Sequence, residues 1–261
     1  AWLMCGRFAS FSALTDIQLT FDLDALGPEC EVLTPSWNVA PTQDVGIIVE
    51  RILDGREGDV HAEHGTQIAG VPSEEKDSST QGSRSVTREL HVARWGLVPP
   101  WSKDPSQGPQ MINARIETLA EKRTFAPSLA TRRCIVPADG YFEWQAAAGG
   151  KIPHYIHSVD GTPLAFAGLY GWWKKPDGSW LLSTTIVTCA AQGELATIHD
   201  RTPVILTPDE FTEWLDPHQQ DKLVALQLID RPNQPLQADV VGKAVGNVRN
   251  NSPENILPLT N

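Results

Sequence analysis

Residues 133–188 contain four short runs of apolar, β-branched and aromatic residues: RCIVP (133–137), YIHS (155–158), LAFAGLY (164–170) and LLSTTIVT (181–188). Runs of this length and composition, separated by segments that contain Gly, Pro and Asp, are typical of β-strands. No helix pattern falls between them. The middle of the chain is therefore expected to form a sheet from strands that follow one another directly.

The rest of the chain adds further strands and a smaller number of helices. The motif TPDE (207–210) is typical of a helix start, because Thr207 can cap, Pro208 suits the first turn and Glu210 completes a capping box. Because strands outnumber helices and the two do not alternate regularly, the pattern predicts an α+β domain rather than a doubly wound fold. The other strands are expected at 45–53, 90–97, 204–206 and 240–245, and the helices at 13–22, 117–125, 207–215 and 221–228.

The length and composition favour one soluble domain. The 261 residues, 41% of them hydrophobic, are enough to bury a full core. There is no apolar run of about 18 residues, and the segment before Cys5 is too short for a signal peptide, so we expect a cytoplasmic protein and no membrane partner. The four cysteines form no CxxC pair and the histidines do not cluster, which predicts free thiols and no metal site. No GxGxxG or P-loop motif is present, so no nucleotide cofactor is expected.

The net charge of −11 counts against nucleic-acid binding, but the charge is unevenly distributed. Residues 50–77 are strongly acidic, whereas residues 84–151 carry a net positive charge, so a polyanion would have to contact the second stretch. Residues 54–88 are rich in Gly, Ser, Glu and Asp and poor in large apolar residues. This composition predicts a flexible loop insertion that replaces a hairpin turn between the strands at 45–53 and 90–97.

Cys5, in the stretch MCGRF (4–8), is the most informative single residue. If the chain began at Cys5, one residue would carry both an α-amine and a thiol, which together convert an aldehyde into a thiazolidine ring. An α-amine has an ordinary pKa of roughly 7.7 to 8.0, so a useful fraction of it is unprotonated near neutral pH. In the sequence as given, residues 1–4 precede Cys5 and its nitrogen is an amide. The alternative is that Cys5 is a small buried apolar residue.

Two tryptophan-containing motifs could be structural or functional. The motif WNVAPT (37–42), with Asn38, reads by itself as a turn before a strand. The motif WGLVPPW (95–101) leads towards NARIE (113–117), and its two tryptophans are either core residues or exposed platforms on which bases stack.

Two further motifs carry acid–base groups. In DGYFEW (139–144), Glu143 either faces solvent or points inward, where loss of hydration would raise the pKa of its carboxyl and suit it to proton transfer. In IHDRTP (198–203), His199 is either a hydrogen-bonded structural residue or an acid–base catalyst.

Taken in order, these motifs resemble the SOS-response-associated peptidase (SRAP) family, whose members trap abasic sites in single-stranded DNA. The resemblance spans nearly the whole chain and rests on MCGRF (4–8), NVAP (38–41), WGL (95–97), NAR (113–115), GYFEW (140–144), IHDR (198–201) and AVGNV (244–248). The departures are the leader at 1–4 and the insertion at 54–88. With the strand count, the resemblance implies one domain at 5–259 with a mostly antiparallel, barrel-like β core and a few peripheral helices.

The resemblance also implies roles for individual residues. The catalytic set is Cys5 as the amine and thiol nucleophile, His199 as proton shuttle, Glu143 as proton acceptor beside the Cys5 nitrogen, and Asn113 as the group that orients nucleophile or sugar. The implied partner is single-stranded DNA with abasic sites, bound by a monomer that is nucleoid-associated when on DNA. The expected DNA-binding residues are Arg7, Asn38, Trp95, Trp101, Arg115, Trp144 and Arg201.

Two other hypotheses stay open at this level. The first is a thiol autopeptidase, in which Cys5 attacks the bond after Met4 with help from Glu143 and His199. This activity is compatible with crosslinking, because it would expose the amine that crosslinking needs. The second is a DNA-binding scaffold without catalysis, in which Cys5 is merely buried.

Overall fold

The centre of the molecule is a closed five-stranded β-barrel. The structure is a computed structural model that describes residues 5–53, 85–106 and 111–259. In the ring, β11 (Trp180–Ala190) pairs with β10 (Leu164–Lys174), then β7 (Arg133–Ala138), β4 (Asp44–Ile52) and β5 (Val86–Trp95), and β5 returns to β11. The first four pairings are antiparallel and the closing β5–β11 pairing is parallel. The parallel pairing is geometrically required, because five strands that alternate in direction leave the first and last pointing the same way.

A second sheet of five strands carries part of the candidate site, including Glu143 and Trp144. Its order is β14–β9–β8–β1–β3, with the strands at Leu236–Val240, Gly150–Ser158, Gly140–Ala147, Phe8–Ser10 and Ser36–Val39. Short strands also border the barrel at Ala25–Leu26 (β2), Asn113–Arg115 (β6), Arg201–Pro203 (β12) and Ile205–Leu206 (β13). The α-helices are Leu14–Phe21 (α1), Ala126–Thr131 (α2), Leu195–Ile198 (α3), Phe211–Leu215 (α4) and Lys222–Ile229 (α5), and the 3₁₀ turns are Pro28–Val32, Ile116–Thr118, Pro208–Glu210, Lys243–Gly246 and Pro253–Ile256.

Alternation along the barrel strands separates two hydrophobic clusters. On β4, Ile48 belongs to a cluster that contains the buried faces of the helices, whereas its neighbour Ile47 belongs to a second cluster. Successive strand residues point to opposite faces, so the first cluster lies outside the barrel and the second inside it. The second sheet contributes Phe8 to the inner cluster, where its ring lies 4.9 Å from Trp95 and 6.0 Å from Phe166. These contacts fix the second sheet, and hence the site, against the barrel.

Most of the barrel strands match the sequence-based expectation, and the α+β class is confirmed. The helices expected at 13–22 and 221–228 form, and so does the capping box at Thr207, where the Glu210 carboxylate accepts the Thr207 N–H at 2.7 Å. The strand expected at 240–245 is wrong: the strand is Leu236–Val240 and a 3₁₀ turn follows it.

The helix expected at 117–125 is also wrong. A short 3₁₀ turn begins there, and the α-helix starts only at Ala126. Of the expected loop insertion at 54–88, residues 54–84 lie outside the described residues. Its last residues already belong to the strand Val86–Trp95, whose start pairs with Ile52.

Candidate active site

Strand pairing brings Cys5 to Glu143. Phe8 pairs with Tyr141, and the Phe142 N–H donates to the Arg7 carbonyl at 3.0 Å, so the strands run antiparallel at this point. Continuing the register two more steps places Cys5 at the end of GYFEW, next to Glu143 and Trp144. There the backbone nitrogen of Cys5 donates to Glu143 Oε1 at 2.8 Å. A residue near the start of the chain is thereby fixed to a carboxylate 138 residues away.

Glu143 points inward, which settles the alternative that the sequence left open. It lies on the same face of β8 as Tyr141, and that face is turned towards the barrel. Burial raises the pKa of the Glu143 carboxyl, while the hydrogen bond from Cys5 and the nearby His199 act to lower it. The net shift is upward, so the group keeps a proton more readily than an exposed glutamate. A carboxyl of this kind can both accept and donate a proton near neutral pH.

The Cys5 thiol is protonated at rest. Burial raises the pKa of the thiol well above its ordinary value, and the negative charge of Glu143 raises it further. The backbone of Cys5 has a φ of 43°, which lies in the left-handed region that non-glycine residues rarely adopt. The four cysteines of the chain are all free thiols.

His199 stands on the other side of Glu143. Its Nε2 lies 3.9 Å from Glu143 Oε2, which is an electrostatic contact rather than a hydrogen bond. Its Nδ1 accepts the backbone N–H of Arg201 at 3.1 Å, and the exposed Asp200 carboxylate lies at the same distance from Nδ1. In the neutral ring, acceptance at Nδ1 leaves the proton on Nε2, which faces Glu143. Cys5, Glu143 and His199 therefore form one connected set.

Arg201 is buried and already paired. Its Nη1 donates to Glu117 Oε1 at 2.5 Å and its Nη2 to Glu117 Oε2 at 2.9 Å, which is a bidentate ion pair. Nη2 also donates to the Thr188 carbonyl at 2.8 Å. Contact between Arg201 and a DNA phosphate would have to compete with Glu117.

Asn113 and Arg115 lie on β6, which runs parallel to β11 and pairs Asn113 with Ile186 and Arg115 with Thr188. Thr188 also accepts from Arg201, so this pairing brings the NAR motif to the edge of the same site. Arg115 is exposed, whereas Asn113 is partly buried. Arg115 is thus the more accessible of the expected arginines.

Arg7, Asn38 and Trp144 gather on the opposite face of the second sheet. The guanidinium of Arg7 lies 5.8 Å from the centre of the Trp144 ring, and its Nη1 donates to Asn38 Oδ1 at 2.7 Å and to the Val245 carbonyl at 2.9 Å. The Asn38 side chain is buried, and its Nδ2 is within hydrogen-bond distance of the carbonyls of Val245, Asn247 and Asn250 at 2.7 to 3.2 Å.

The DNA-binding role expected for Asn38 therefore needs correction. Its side chain holds the C-terminal segment in place instead. Its amide shares this task with Arg7, which also donates to the Val245 carbonyl, and with Asn255, which also donates to the Asn250 carbonyl. Arg7 and Trp144 remain partly accessible.

The two tryptophans of WGLVPPW have opposite environments. Trp95 is 0% exposed and its indole N–H donates to the Ile112 carbonyl at 3.0 Å, so the stacking role expected for it is wrong: it is a core residue. Trp101 is 47% exposed, with the Arg123 guanidinium 5.0 Å from its ring centre. The loop that carries Trp101 contacts β11 at Ser183. Thr188, which contacts Arg201, is five residues further along the same strand, so the loop lies roughly 16 Å from that part of the candidate site.

Sequence reasoning missed several residues that the fold brings to the site. Tyr141 is buried, donates to or accepts from Thr202 at 2.8 Å, and has a raised pKa because of burial and the nearby Cys5 thiol. Glu117 was noted only as part of a motif, and Arg123 was not noted at all. The sequence around Glu143 and Arg201 gave no signal for these contacts, because the partners come from distant parts of the chain.

The described part of the chain holds no group of three or more His, Cys, Asp or Glu residues arranged to bind a metal ion. Among those same residues, no helix is long and apolar enough to cross a membrane.

Comparison with known proteins gives a family and a set of relatives. The family model for SOS response associated peptidase (SRAP) matches residues 4–248. The abasic site processing protein YoqW of Bacillus subtilis is 38% identical over 257 residues, which cover 96% of this chain and 98% of that protein. The abasic site processing protein HMCES of Gallus gallus is 34% identical over 219 residues, which cover 75% of this chain and 65% of that protein.

Solved structures show the same fold. A crystal structure of a Bacteroides thetaiotaomicron protein matches with a TM-score of 0.75 at 21% identity and covers 98% of this chain and 100% of its own. A phage-related protein from Bordetella bronchiseptica matches with a TM-score of 0.61 at 27% identity and covers 91% of this chain and 94% of its own.

Proposed function

We propose, from the premise that this chain belongs to the SOS response associated peptidase (SRAP) family, that it processes abasic sites by trapping them covalently through Cys5. The single observation that carries the proposal is the 2.8 Å contact between the Cys5 nitrogen and Glu143 Oε1, with His199 on the far side of the same carboxylate. The relatives named abasic site processing proteins support the substrate class.

The reaction requires that the bond before Cys5 be cut, so that the amide nitrogen becomes an amine. The amine nitrogen then attacks C1′ of the ring-opened sugar, and the carbinolamine loses water to form an imine. Attack by the Cys5 sulfur on the imine carbon forms the C–S bond, and the thiol proton passes to nitrogen to complete the thiazolidine. The adduct therefore weighs one water less than the two reactants together.

The electrostatics of the site set the order of these steps. The raised pKa of the Cys5 thiol disfavours the thiolate, so the amine reacts first. Glu143 accepts the proton that the Cys5 ammonium must lose before its nitrogen can attack, and the raised pKa of the carboxyl suits it to return a proton to the departing water. His199, which faces Glu143, exchanges that proton with solvent.

The burial of Cys5 favours single-stranded over double-stranded DNA as the substrate. The residue is buried, so the damaged nucleotide must enter the site, and extrusion costs least where no partner strand holds it. We assign the phosphate contacts to the exposed Arg115 and to Arg7, and the stacking surfaces to Trp144 and to Trp101 further along the strand.

The test is an intact-mass and denaturing-gel assay of protein that begins at Cys5, mixed with single-stranded DNA carrying one abasic site. We expect a heat-stable adduct that is one water lighter than the summed masses. The same DNA with a tetrahydrofuran in place of the sugar aldehyde serves as a control and gives no adduct.

Two cysteine variants sharpen the result. Cys5→Ala keeps the amine and loses the thiol, so we expect only an imine that disappears on heating unless borohydride reduces it. Cys189→Ala is the matched control, because Cys189 is a partly buried free thiol on β11, and it should react like the wild type. Equal heat-stable adduct from Cys5→Ala and wild type would refute the proposal and favour a binding scaffold.

A second candidate function is cleavage of the bond between Met4 and Cys5 by the protein itself. The Cys5 sulfur would attack the Met4 carbonyl carbon, the nitrogen held by Glu143 would leave with a proton from that carboxyl, whose pKa is raised, and water would hydrolyse the resulting thioester. The φ of 43° at Cys5 also carries strain of about 1–3 kcal/mol, which hydrolysis would release because φ no longer constrains a terminal residue.

Mass spectrometry of the purified chain tests this activity. Spontaneous loss of residues 1–4 from the wild type, absent in Cys5→Ala and in Glu143→Gln, is the expected result. Equal loss in all three would assign the cleavage to another protease.

A further inference from the structure

We infer that Glu117 is a specificity-determining residue, which occupies Arg201 in the absence of damage and yields it to a phosphate of the abasic nucleotide. The inference rests on the proposed function, but it concerns non-covalent binding and can be tested apart from the crosslink. It starts from the bidentate pair between the two side chains, at 2.5 and 2.9 Å.

Arg201 and Glu117 differ in their exposure to solvent. Arg201 is 8% exposed, whereas the side chain of Glu117 is 50% exposed. The buried Nε of Arg201 has no hydrogen-bond partner in the part of the chain that the structure describes. A buried donor without an acceptor is unfavourable, so the guanidinium has capacity for one more oxygen than Glu117 and Thr188 supply.

The exposed half of the pair is the carboxylate, which repels a DNA backbone that passes over the site. Undamaged DNA, whose bases keep the backbone at the surface, therefore meets the negative charge of Glu117 rather than the positive charge of Arg201. An abasic nucleotide lacks the base, so its backbone can approach more closely. Its phosphate can then take the place of the Glu117 carboxylate on Arg201, because both groups accept from the same guanidinium fork.

Replacement of Glu117 by a phosphate on Arg201 would couple recognition of the lesion to the crosslinking reaction. The backbone N–H of Arg201 also donates to His199 Nδ1 at 3.1 Å, so the residue that would read the phosphate is directly linked to the acid–base set. Glu117 would thus weaken binding to undamaged strands more than binding to the lesion, where a phosphate replaces it on Arg201.

The test measures the affinity of protein that begins at Cys5 for two single strands, one undamaged and one with a tetrahydrofuran abasic analogue that cannot crosslink. Glu117→Gln should bind undamaged DNA about two- to fivefold more tightly, the usual worth of one partly exposed ion pair. Its plot of log K against log salt should be steeper by about 0.7, as one added phosphate contact predicts for a single strand. Binding to the abasic analogue should gain less, so the preference for it should fall.

Two controls keep the result specific. Glu121→Gln removes the same charge at an exposed position after the 3₁₀ turn, and should leave the preference unchanged. Adding Arg201→Gln to Glu117→Gln should abolish the gain, provided that a melting curve shows that the double variant is folded. If it is not folded, Arg201→Lys replaces it, because lysine keeps the charge but lacks the fork.

The outcomes separate this inference from the proposed function. An unchanged salt slope and preference in Glu117→Gln, with normal binding by the wild type, would overturn the role of Glu117 alone. Equal gains in Glu117→Gln and Glu121→Gln would overturn it too, since they would reduce the effect to net charge. Failure of the wild type to bind either strand would instead count against the proposed function.

Discussion

Replacement of Glu143 by Gln should uncouple catalysis from stability. The substitution keeps the size of the side chain and an oxygen that can still accept the Cys5 N–H, but it removes the charge and the proton acceptor. A hydrogen bond to a charged group contributes about 1.5–3 kcal/mol and one to a neutral group about 0.5–1.5 kcal/mol, so weakening this bond by about 1 kcal/mol corresponds to roughly fivefold in rate. Loss of proton transfer at the reacting nitrogen adds to this, and general acid–base groups are typically worth about 10²- to 10⁴-fold.

The stability of the Glu143→Gln protein should be equal to or higher than that of the wild type. Burial raises the pKa of Glu143 in the folded protein, so the folded state binds its proton more tightly than the unfolded state. Its contribution to stability is therefore fully present below the ordinary carboxyl pKa and is lost as pH rises through the folded value. Near neutral pH, Gln removes this cost of ionisation, and we expect Glu143→Gln to melt at or above the wild-type temperature.

The assay combines single-turnover crosslinking to abasic single-stranded DNA, for protein that begins at Cys5, with thermal melting of the 261-residue chain, in which the Cys5 nitrogen is an amide. We expect a rate about 10²- to 10⁴-fold lower with an unchanged or higher melting temperature. Glu194→Gln, an exposed glutamate just before α3, is the matched control and should react within twofold of the wild type. A Glu143→Gln rate within threefold of the wild type would refute the role of Glu143 in proton transfer.

Three further expectations concern other parts of the molecule. His199→Ala should slow crosslinking by about 10²- to 10⁴-fold while leaving equilibrium binding to a tetrahydrofuran strand nearly intact, and an equal loss of both would contradict its role as a proton shuttle. Arg115→Ala should weaken that binding and flatten its salt slope by about 0.7, and a slope equal to the wild type would remove Arg115 from the phosphate contacts. His91 is a purely structural case: burial opposes its charge, but its contacts with Glu29 and Glu89 at 2.8 and 2.9 Å raise its pKa to about 9. Its contribution to stability should therefore be full below about pH 6.5 and lost as pH rises through about 9, and urea unfolding of wild type and His91→Gln across that range should converge at high pH.

The sequence by itself predicted most of the barrel strands and the candidate reactive groups. The runs around Ile47, Ile135 and Leu169 were recognisable because a strand that is buried on both faces needs a near-continuous apolar sequence, whatever its partners are. The candidate reactive groups were recognisable because an amine–thiol pair at Cys5, with His199 and a carboxylate elsewhere, suits aldehyde capture, although self-cleavage by the same groups stayed open. Local signals of this kind do not depend on the rest of the fold.

Only the tertiary structure decided which polar and aromatic residues meet. Trp95 and Trp101 stand in the same motif, yet one is enclosed by the barrel and the other is exposed, because closure through the parallel β5–β11 pairing buries only the first. Likewise, the sequence near Glu117 and Glu143 does not indicate that Glu117 pairs with Arg201 or that Glu143 points inward to Cys5. Burial and ion pairing depend on contacts between strands far apart in the chain, and those contacts exist only once the two sheets have packed together.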